Sequence, residues 1–313
     1  MQIVVQLLLL VIGFVLLMKG ADWFVEGASR IADRLGIPQL VIGLTIVAMG
    51  TSLPEAAVSV ASALKGNAGI TIGNVVGSNI LNILIILGMT GVICVIPVQK
   101  STVRYEIPFM IGVTVILGIL GLADNTVSRP EGVILWALFI AYLLYLLRMA
   151  KKGQPVGEET AGADRADKLC KMLLMVAAGC AMIVFGSDLT VDAATELARI
   201  FKVDERIIGL TIVAFGTSLP ELVTSVTAAI KGKTDIAMGN IVGSNIFNIL
   251  FVVGTSALIT PVVYSGGFLV DTIVAIGAAV LLLLCVVRGQ RMGRLAGVLM
   301  LAGYAAYFAY LIR

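Results

Sequence analysis

The chain has 313 residues, 59% of them hydrophobic and only 13% charged, against ~25% charged in soluble domains, so it reads as an integral membrane protein with no separate soluble domain. Its net charge of +3 comes from basic residues at the ends of apolar runs rather than from a basic stripe, and no nucleic-acid partner is implied. Histidine is absent, and Cys94, Cys170, Cys180 and Cys285 show no CxxC spacing, which argues against zinc or copper sites, a disulfide framework and a hydrolase.

In chain order, apolar runs of the ~20 residues a membrane span needs fall near 3–20, 39–64, 70–95, 107–123, 131–148, 169–187, 206–230, 236–260, 268–288 and 294–312. The first is expected to be a retained span, since Met1 to Gly20 shows neither a basic leader nor a small-residue cleavage site. The first and sixth are expected to continue as tilted or interfacial helix, because Gly20, Asp22, Val25 and Ala28 recur as Gly186, Asp188, Val191 and Ala194, 166 residues on. Segments four, five, nine and ten carry polar residues almost only at their ends and read as scaffold.

The same shift superimposes residues 42–84 on 208–250, with 29 of 43 positions identical and no gap. Such duplication marks a membrane protein of two related halves. Five spans per half is an odd number, so the second copy enters the membrane from the opposite side. The fold class predicted is an all-α integral membrane protein of ten transmembrane helices, built as two inverted-topology five-helix repeats. These cover residues 1–149 and 169–313, joined by a flexible linker at 150–168 that is rich in Gly, Pro and acid. Of the 22 Lys and Arg residues, 16 fall on the linker's side, counting Lys19 there, and 6 on the other. That places the linker in the cytoplasm and both termini outside a plasma membrane.

Each copy holds one acid inside an apolar run, Glu55 and Glu221, where an ionised carboxylate costs ~2.5–3.5 kcal/mol on insertion scales. Lys65 and Lys231, the nearest basic residues in these runs, lie ten positions on at the membrane edge. The neutralising charge therefore has to come from outside the chain, as a cation. Pro54 and Pro220 donate no helical N–H, which is expected to open the carbonyls of Gly50 and Gly216 toward a cavity. Thr51 and Ser52, and likewise Thr217 and Ser218, set hydroxyls on the helix face of their Glu.

In the following span Asn74, Ser78 and Asn82 form one i, i+4, i+8 stripe, matched by Asn240, Ser244 and Asn248, and both stripes are expected to face the same cavity. Gly73 with Gly77 and Gly239 with Gly243 permit close helix approach. Carboxylates, amides, hydroxyls and carbonyls make a hard oxygen set suited to Ca2+, Na+, Mg2+ or Mn2+. Asp22, Glu26, Asp188 and Asp192 lie near span ends and read as interfacial.

The runs GTSLPE at Gly50–Glu55 and Gly216–Glu221, each followed by GNxxGSNIxN at Gly73–Asn82 and Gly239–Asn248, resemble the paired alpha repeats of the sodium/calcium exchangers, in the calcium/cation antiporter superfamily. The resemblance covers the whole ten-span plan. It implies a mid-membrane cluster of four ion sites, with Glu55, Glu221, Asn82 and Asn248 as central side-chain ligands. Thr51, Ser52, Thr217, Ser218, Ser78 and Ser244, and the carbonyls of Ala48 and Ala214, match the flanking ligands. Asn248 stands where some microbial members have Asp, and Asn82 where potassium-dependent members have Asp. The centre thus keeps two formal negative charges, which matches one Ca2+ and argues against K+ co-transport. The short 150–168 loop lacks the calcium-sensing domains of animal exchangers.

The function expected is exchange of Ca2+ for Na+ by alternating access. The ions are transported substrates and not cofactors, the lipid bilayer is the surroundings, and a single chain is the working unit. The rival within the class is proton/Ca2+ exchange, whose members usually carry Asn in place of the Thr-Ser pair kept here. A passive cation channel could use the same ligands, yet symmetric channel subunits need no antiparallel internal copy. A membrane hydrolase with Ser52 or Ser218 as nucleophile would lack a histidine base.

Overall fold

The computed structural model describes residues 2–66, 69–153, 162–201 and 214–311. The first half forms α1 (Gln2–Leu35), α2 (Gln39–Thr51), α3 (Leu53–Leu64), α4 (Ile70–Ile93), α5 (Thr102–Asp124) and α6 (Arg129–Gly153). The second forms α7 (Gly162–Ile200), α8 (Ala214–Gly216), α9 (Leu219–Ile230), α10 (Thr234–Ile259), α11 (Phe268–Val287) and α12 (Arg294–Leu311). Among the described residues eight helices are long and apolar enough to cross a membrane, and α2 with α3, bent by 50°, makes a ninth. The expected span at 206–230 is described only from Ala214 onward, residues 206–213 lying outside the described residues.

The first and sixth segments run on as long helices, as the sequence predicts, whereas the fourth span starts earlier than expected. Helix α1, with 34 residues, is ~50 Å long at ~1.5 Å per residue, more than the ~30 Å hydrocarbon core; α7, with 39 residues, is longer still. Helix α5 begins at Thr102 through a π-helical turn, Thr102–Glu106, which draws Glu106 inside the span at 1% exposure. Within the expected linker, 150–168, α6 runs to Gly153 and α7 starts at Gly162. Residues 154–161 lie outside the described residues.

The polarity pattern is that of a protein dissolved in lipid. Leu8 and Val11 on α1 and Leu144 and Leu147 on α6 are exposed, while Ser78, Asn79, Asn82, Ser244, Asn245 and Asn248 are buried. In water each exposed apolar side chain would forfeit ~25 cal/mol per Å², whereas hydrocarbon accepts it. Helix α10 forms the centre, with every residue from Ile236 to Phe247 buried. Helix α2 crosses it where Gly243 leaves room: a Cβ there would lie 2.8 Å from the Leu44 carbonyl oxygen. The matching partners of Gly73 and Gly77, at 209–213, lie outside the described residues.

Helices α1 and α7 pack antiparallel along their length, with Gly13 against Gly186, Gly20 against Gly179 and Gly27 against Val176. Two short clips tie the halves together at the helix ends. Strand β1 (Ile96–Pro97) pairs with β4 (Arg291–Met292), and β2 (Thr126–Val127) pairs with β3 (Val262–Val263), both antiparallel. Because β3 is β1 displaced by 166 residues, each clip joins the end of α4 or α10 to the start of α12 or α6 in the other half.

Candidate cation site

Two helix breaks set the carboxylates. Helix α2 gives way to α3 at Ser52 (φ −85°, ψ 10°), and α9 starts after Ser218 (φ −92°, ψ 3°). Pro54 and Pro220 fall in the first turns that follow, where a missing N–H is tolerated. Glu55 and Glu221 therefore also sit in first turns, where the helix dipole favours a negative charge by ~0.3–1 kcal/mol, up to ~2 when partly buried. They are 1% and 0% exposed, and among the described residues neither makes an ion pair.

Each carboxylate is held from the other half of the chain. Ser52 Oγ donates to Glu221 Oε1 at 2.8 Å, and Ser218 Oγ donates to Glu55 Oε1 at 3.4 Å, where Ser78 Oγ also donates at 3.4 Å. Asn74 Nδ2 donates to the Glu55 carbonyl and to Ser59 Oγ, at 3.2 and 2.9 Å. Asn240 Nδ2 repeats this with the Glu221 carbonyl and Ser225 Oγ, at 3.5 and 2.9 Å.

Helices α4 and α10 add amides whose orientation is forced by a relay. Asn79 Nδ2 donates to the Asn245 carbonyl at 3.1 Å, and Asn245 Nδ2 to the Asn79 carbonyl at 3.2 Å. With those N–H groups committed, Asn79 and Asn245 offer Oδ1, which accepts from Asn248 Nδ2 at 3.1 Å and from Asn82 Nδ2 at 2.9 Å. Asn82 and Asn248 keep Oδ1 free. Each also opens a π-helical turn, Asn82–Leu87 and Asn248–Val253, a local widening frequent at functional sites.

The outcome is four buried oxygens without a hydrogen-bond partner among the described residues, Glu55 Oε2, Glu221 Oε2, Asn82 Oδ1 and Asn248 Oδ1. Each unsatisfied acceptor costs ~1–3 kcal/mol, more when charged. A cation within reach of them would supply the missing partner. Among the described residues no three His, Cys, Asp or Glu side chains come together, so the donor set is two carboxylates plus neutral oxygens.

The flanking residues divide. Thr51 Oγ1 lies 3.0 Å from Asn240 Oδ1 and 3.3 Å from the Ala48 carbonyl, which also accepts from Ser244 Oγ at 3.3 Å. Thr217 lines a cavity of about 410 Å³ with Pro54, Asp188 and Asp192, and Ala214 begins α8. The carbonyls of Gly50 and Gly216 depart from expectation. They are capped from α7, by Cys180 Sγ at 3.6 Å and Ser187 Oγ at 2.9 Å, so the bonds lost to proline are replaced by tertiary ones.

With this geometry in view, the profile of the sodium/calcium exchanger protein family matches residues 5–148 and 171–313. The chain belongs to that family. Membership places it among the membrane cation antiporters, a class of transporters. It is 38% identical over 314 residues to the inner membrane protein YrbG of Escherichia coli, covering 97% of this chain and 95% of that one. It is 32% identical over 347 residues to the sodium/calcium exchanger MaX1 of Methanosarcina acetivorans, covering 99% of each. Among solved structures, the sodium-calcium exchanger NCX_Mj soaked with 10 mM Na+ and zero Ca2+ matches with a TM-score of 0.86 and 32% identity, over 98% of this chain and 99% of that one.

Two features of this candidate site escape sequence reasoning. Asn79 and Asn245 are one position off the i, i+4 stripe, their only signal being the first Asn of each SNIxN run. Asp188 and Asp192, read as interfacial, line the cavity that reaches Thr217, whereas Asp22 and Glu26 do pair near the surface, with Lys231 and Arg30.

Proposed function

We propose that this chain exchanges Ca2+ for Na+ across the membrane by alternating access, with the two Glu-centred halves forming one ion cluster. The observation that carries the reading is the quartet of unpartnered oxygens on Glu55, Glu221, Asn82 and Asn248. Ca2+ takes six to eight oxygens at ~2.3–2.6 Å, and its charge equals that of two carboxylates. In this reading the quartet is central, the hydroxyls of Thr51, Ser52, Thr217, Ser218, Ser78 and Ser244 and the carbonyls of Ala48 and Ala214 flank it, and the Asp188–Thr217 cavity is an approach route.

Exchange then follows from competition. One Ca2+ or several Na+ neutralise the two acids, and only the neutralised cluster changes access at tolerable cost. Two relatives support this choice of ions by name, MaX1 as a sodium/calcium exchanger and NCX_Mj through crystals soaked with Na+ and Ca2+ or Sr2+.

The architecture we assign is ten spans in two inverted halves, 1–149 and 169–313. Its support is the 166-residue repeat, the strand clips exchanged between halves and the crossed Ser–Glu bonds. The linker is placed in the cytoplasm and both termini outside, on the distribution of basic residues. A single chain is the working unit, because it supplies both half-sites.

The test is 45Ca2+ binding to the purified protein. Na+ is expected to displace Ca2+ while K+ at equal concentration does not. Equal displacement by both ions would overturn the reading.

A further inference from the structure

A second buried carboxylate lies apart from the ion cluster, where α5 begins and α6 ends. Glu106 is 1% exposed and Tyr142 4% exposed. Tyr145 Oη donates to Glu106 Oε1, but among the described residues Glu106 Oε2 and Tyr142 Oη have no partner, and neither does Thr102 Oγ1 one turn earlier. Glu106 and Tyr142 border a cavity of about 310 Å³ whose other walls include Tyr105, Phe109 and Tyr145. Phe109 stacks on Tyr142 at 5.5 Å, with planes 11° apart.

Aromatic faces around a carboxylate favour an organic ammonium ion. A Ca2+ or Mg2+ ion would need six or more oxygens, more than the side chains of Glu106 and the three lining tyrosines supply. An ammonium carrying N–H bonds can donate to Glu106 Oε2 and Tyr142 Oη, whereas a trimethylammonium would leave both acceptors unsatisfied. The mouth has the opposite charge. Arg104 borders this cavity, and Arg148 and Lys151 border a neighbouring one that shares Tyr105 and Tyr145. Acid inside and bases outside complement a zwitterion with its ammonium inward and its phosphate outward. The position, at the ends of two spans and among tyrosines, is that of lipid head groups.

We propose that this cavity binds an ethanolamine-phosphate head group, with the ammonium on Glu106 and Tyr142 and the phosphate among Arg104, Arg148 and Lys151. The site is independent of the ion cluster and of the exchange assigned to it. It is a ligand site on helices that the sequence presents as scaffold.

The experiment titrates the full-length detergent-purified protein with phosphatidylethanolamine, phosphatidylcholine or phosphatidylglycerol and reads bound lipid by native mass spectrometry. Phosphatidylethanolamine is expected to bind about tenfold more tightly than either other lipid, the value of one charge-assisted hydrogen bond. Glu106→Gln is expected to remove that preference and Tyr142→Phe to reduce it. The Phe variant deletes only an unpartnered hydroxyl and keeps the stacked wall, so it reports even if the Gln variant misfolds.

Soluble phosphoethanolamine separates the sources. If it displaces the lipid at millimolar concentration, the head group alone is recognised; if it does not while the lipid preference persists, the acyl chains contribute. Either outcome supports the head-group chemistry. Equal binding of the three lipids, or an undiminished preference in Tyr142→Phe, would overturn it.

Discussion

Asn79 and Asn245 each donate a side-chain amide to the other's backbone carbonyl, at 3.1 and 3.2 Å. They stand 166 residues apart, the shift that relates the two copies, so the bonds clamp α4 to α10 at equivalent points. The same two residues orient Asn82 and Asn248 through their Oδ1 atoms. Packing and the orientation of the candidate ligands therefore share one set of hydrogen bonds.

Breaking that relay is expected to lower both stability and Ca2+ affinity. Asn245→Ala strands the Asn79 carbonyl and Asn82 Nδ2, at ~1–3 kcal/mol for each buried group left unpaired. Asn79→Ala does the same from the other side, and the double variant loses less than the sum of the singles. Thermal unfolding and calorimetric Ca2+ titration of the three variants check this, strict additivity being the contrary result.

Glu55→Gln and Glu221→Gln are each expected to abolish Ca2+ exchange while leaving folding intact. The amide keeps the side-chain volume and removes a buried charge that no group among the described residues neutralises. Unfolding temperature is therefore unchanged or raised. Near-normal flux in either variant would contradict the two-carboxylate site.

Glu55 and Glu221 were legible in the sequence because an acid beside Pro, ten residues from any Lys, has few uses inside an apolar run. The length of α1 was legible for a similar reason, its small and polar residues recurring past the end of the apolar run. Contacts between distant residues were not legible. Cys180 capping Gly50, 130 residues away, replaces a backbone bond that the sequence shows only as lost. Asn79 escaped because a regular 3.6-residue period directs attention to Asn74, Ser78 and Asn82. Glu106 looked like a span end, since the π-helical turn that carries it inward leaves no periodic signal.

Asn248→Asp takes the formal charge of the cluster from −2 to −3, which one Ca2+ leaves at −1 in a low-dielectric site. A proton or a further monovalent cation then has to accompany Ca2+. Exchange by the variant is expected to depend more steeply on pH than the parent's between about pH 6 and 8. Identical pH profiles would show that position 248 does not face the ions.

Orientation is open to labelling in a background without the four native cysteines. Lys100 and Asp124 are both exposed and flank α5 at opposite ends. Lys100→Cys is expected to react with a membrane-impermeant maleimide only from the cytoplasmic side, and Asp124→Cys only from outside. The reverse pattern would invert the assigned topology.

The most direct measurement is 45Ca2+ uptake into proteoliposomes loaded in turn with Na+, K+ or a proton gradient. Competition for two carboxylates predicts rapid uptake driven by internal Na+, unchanged by K+ on either side, with none from a proton gradient alone. Uptake driven by protons without Na+, or a strict requirement for K+, would contradict it.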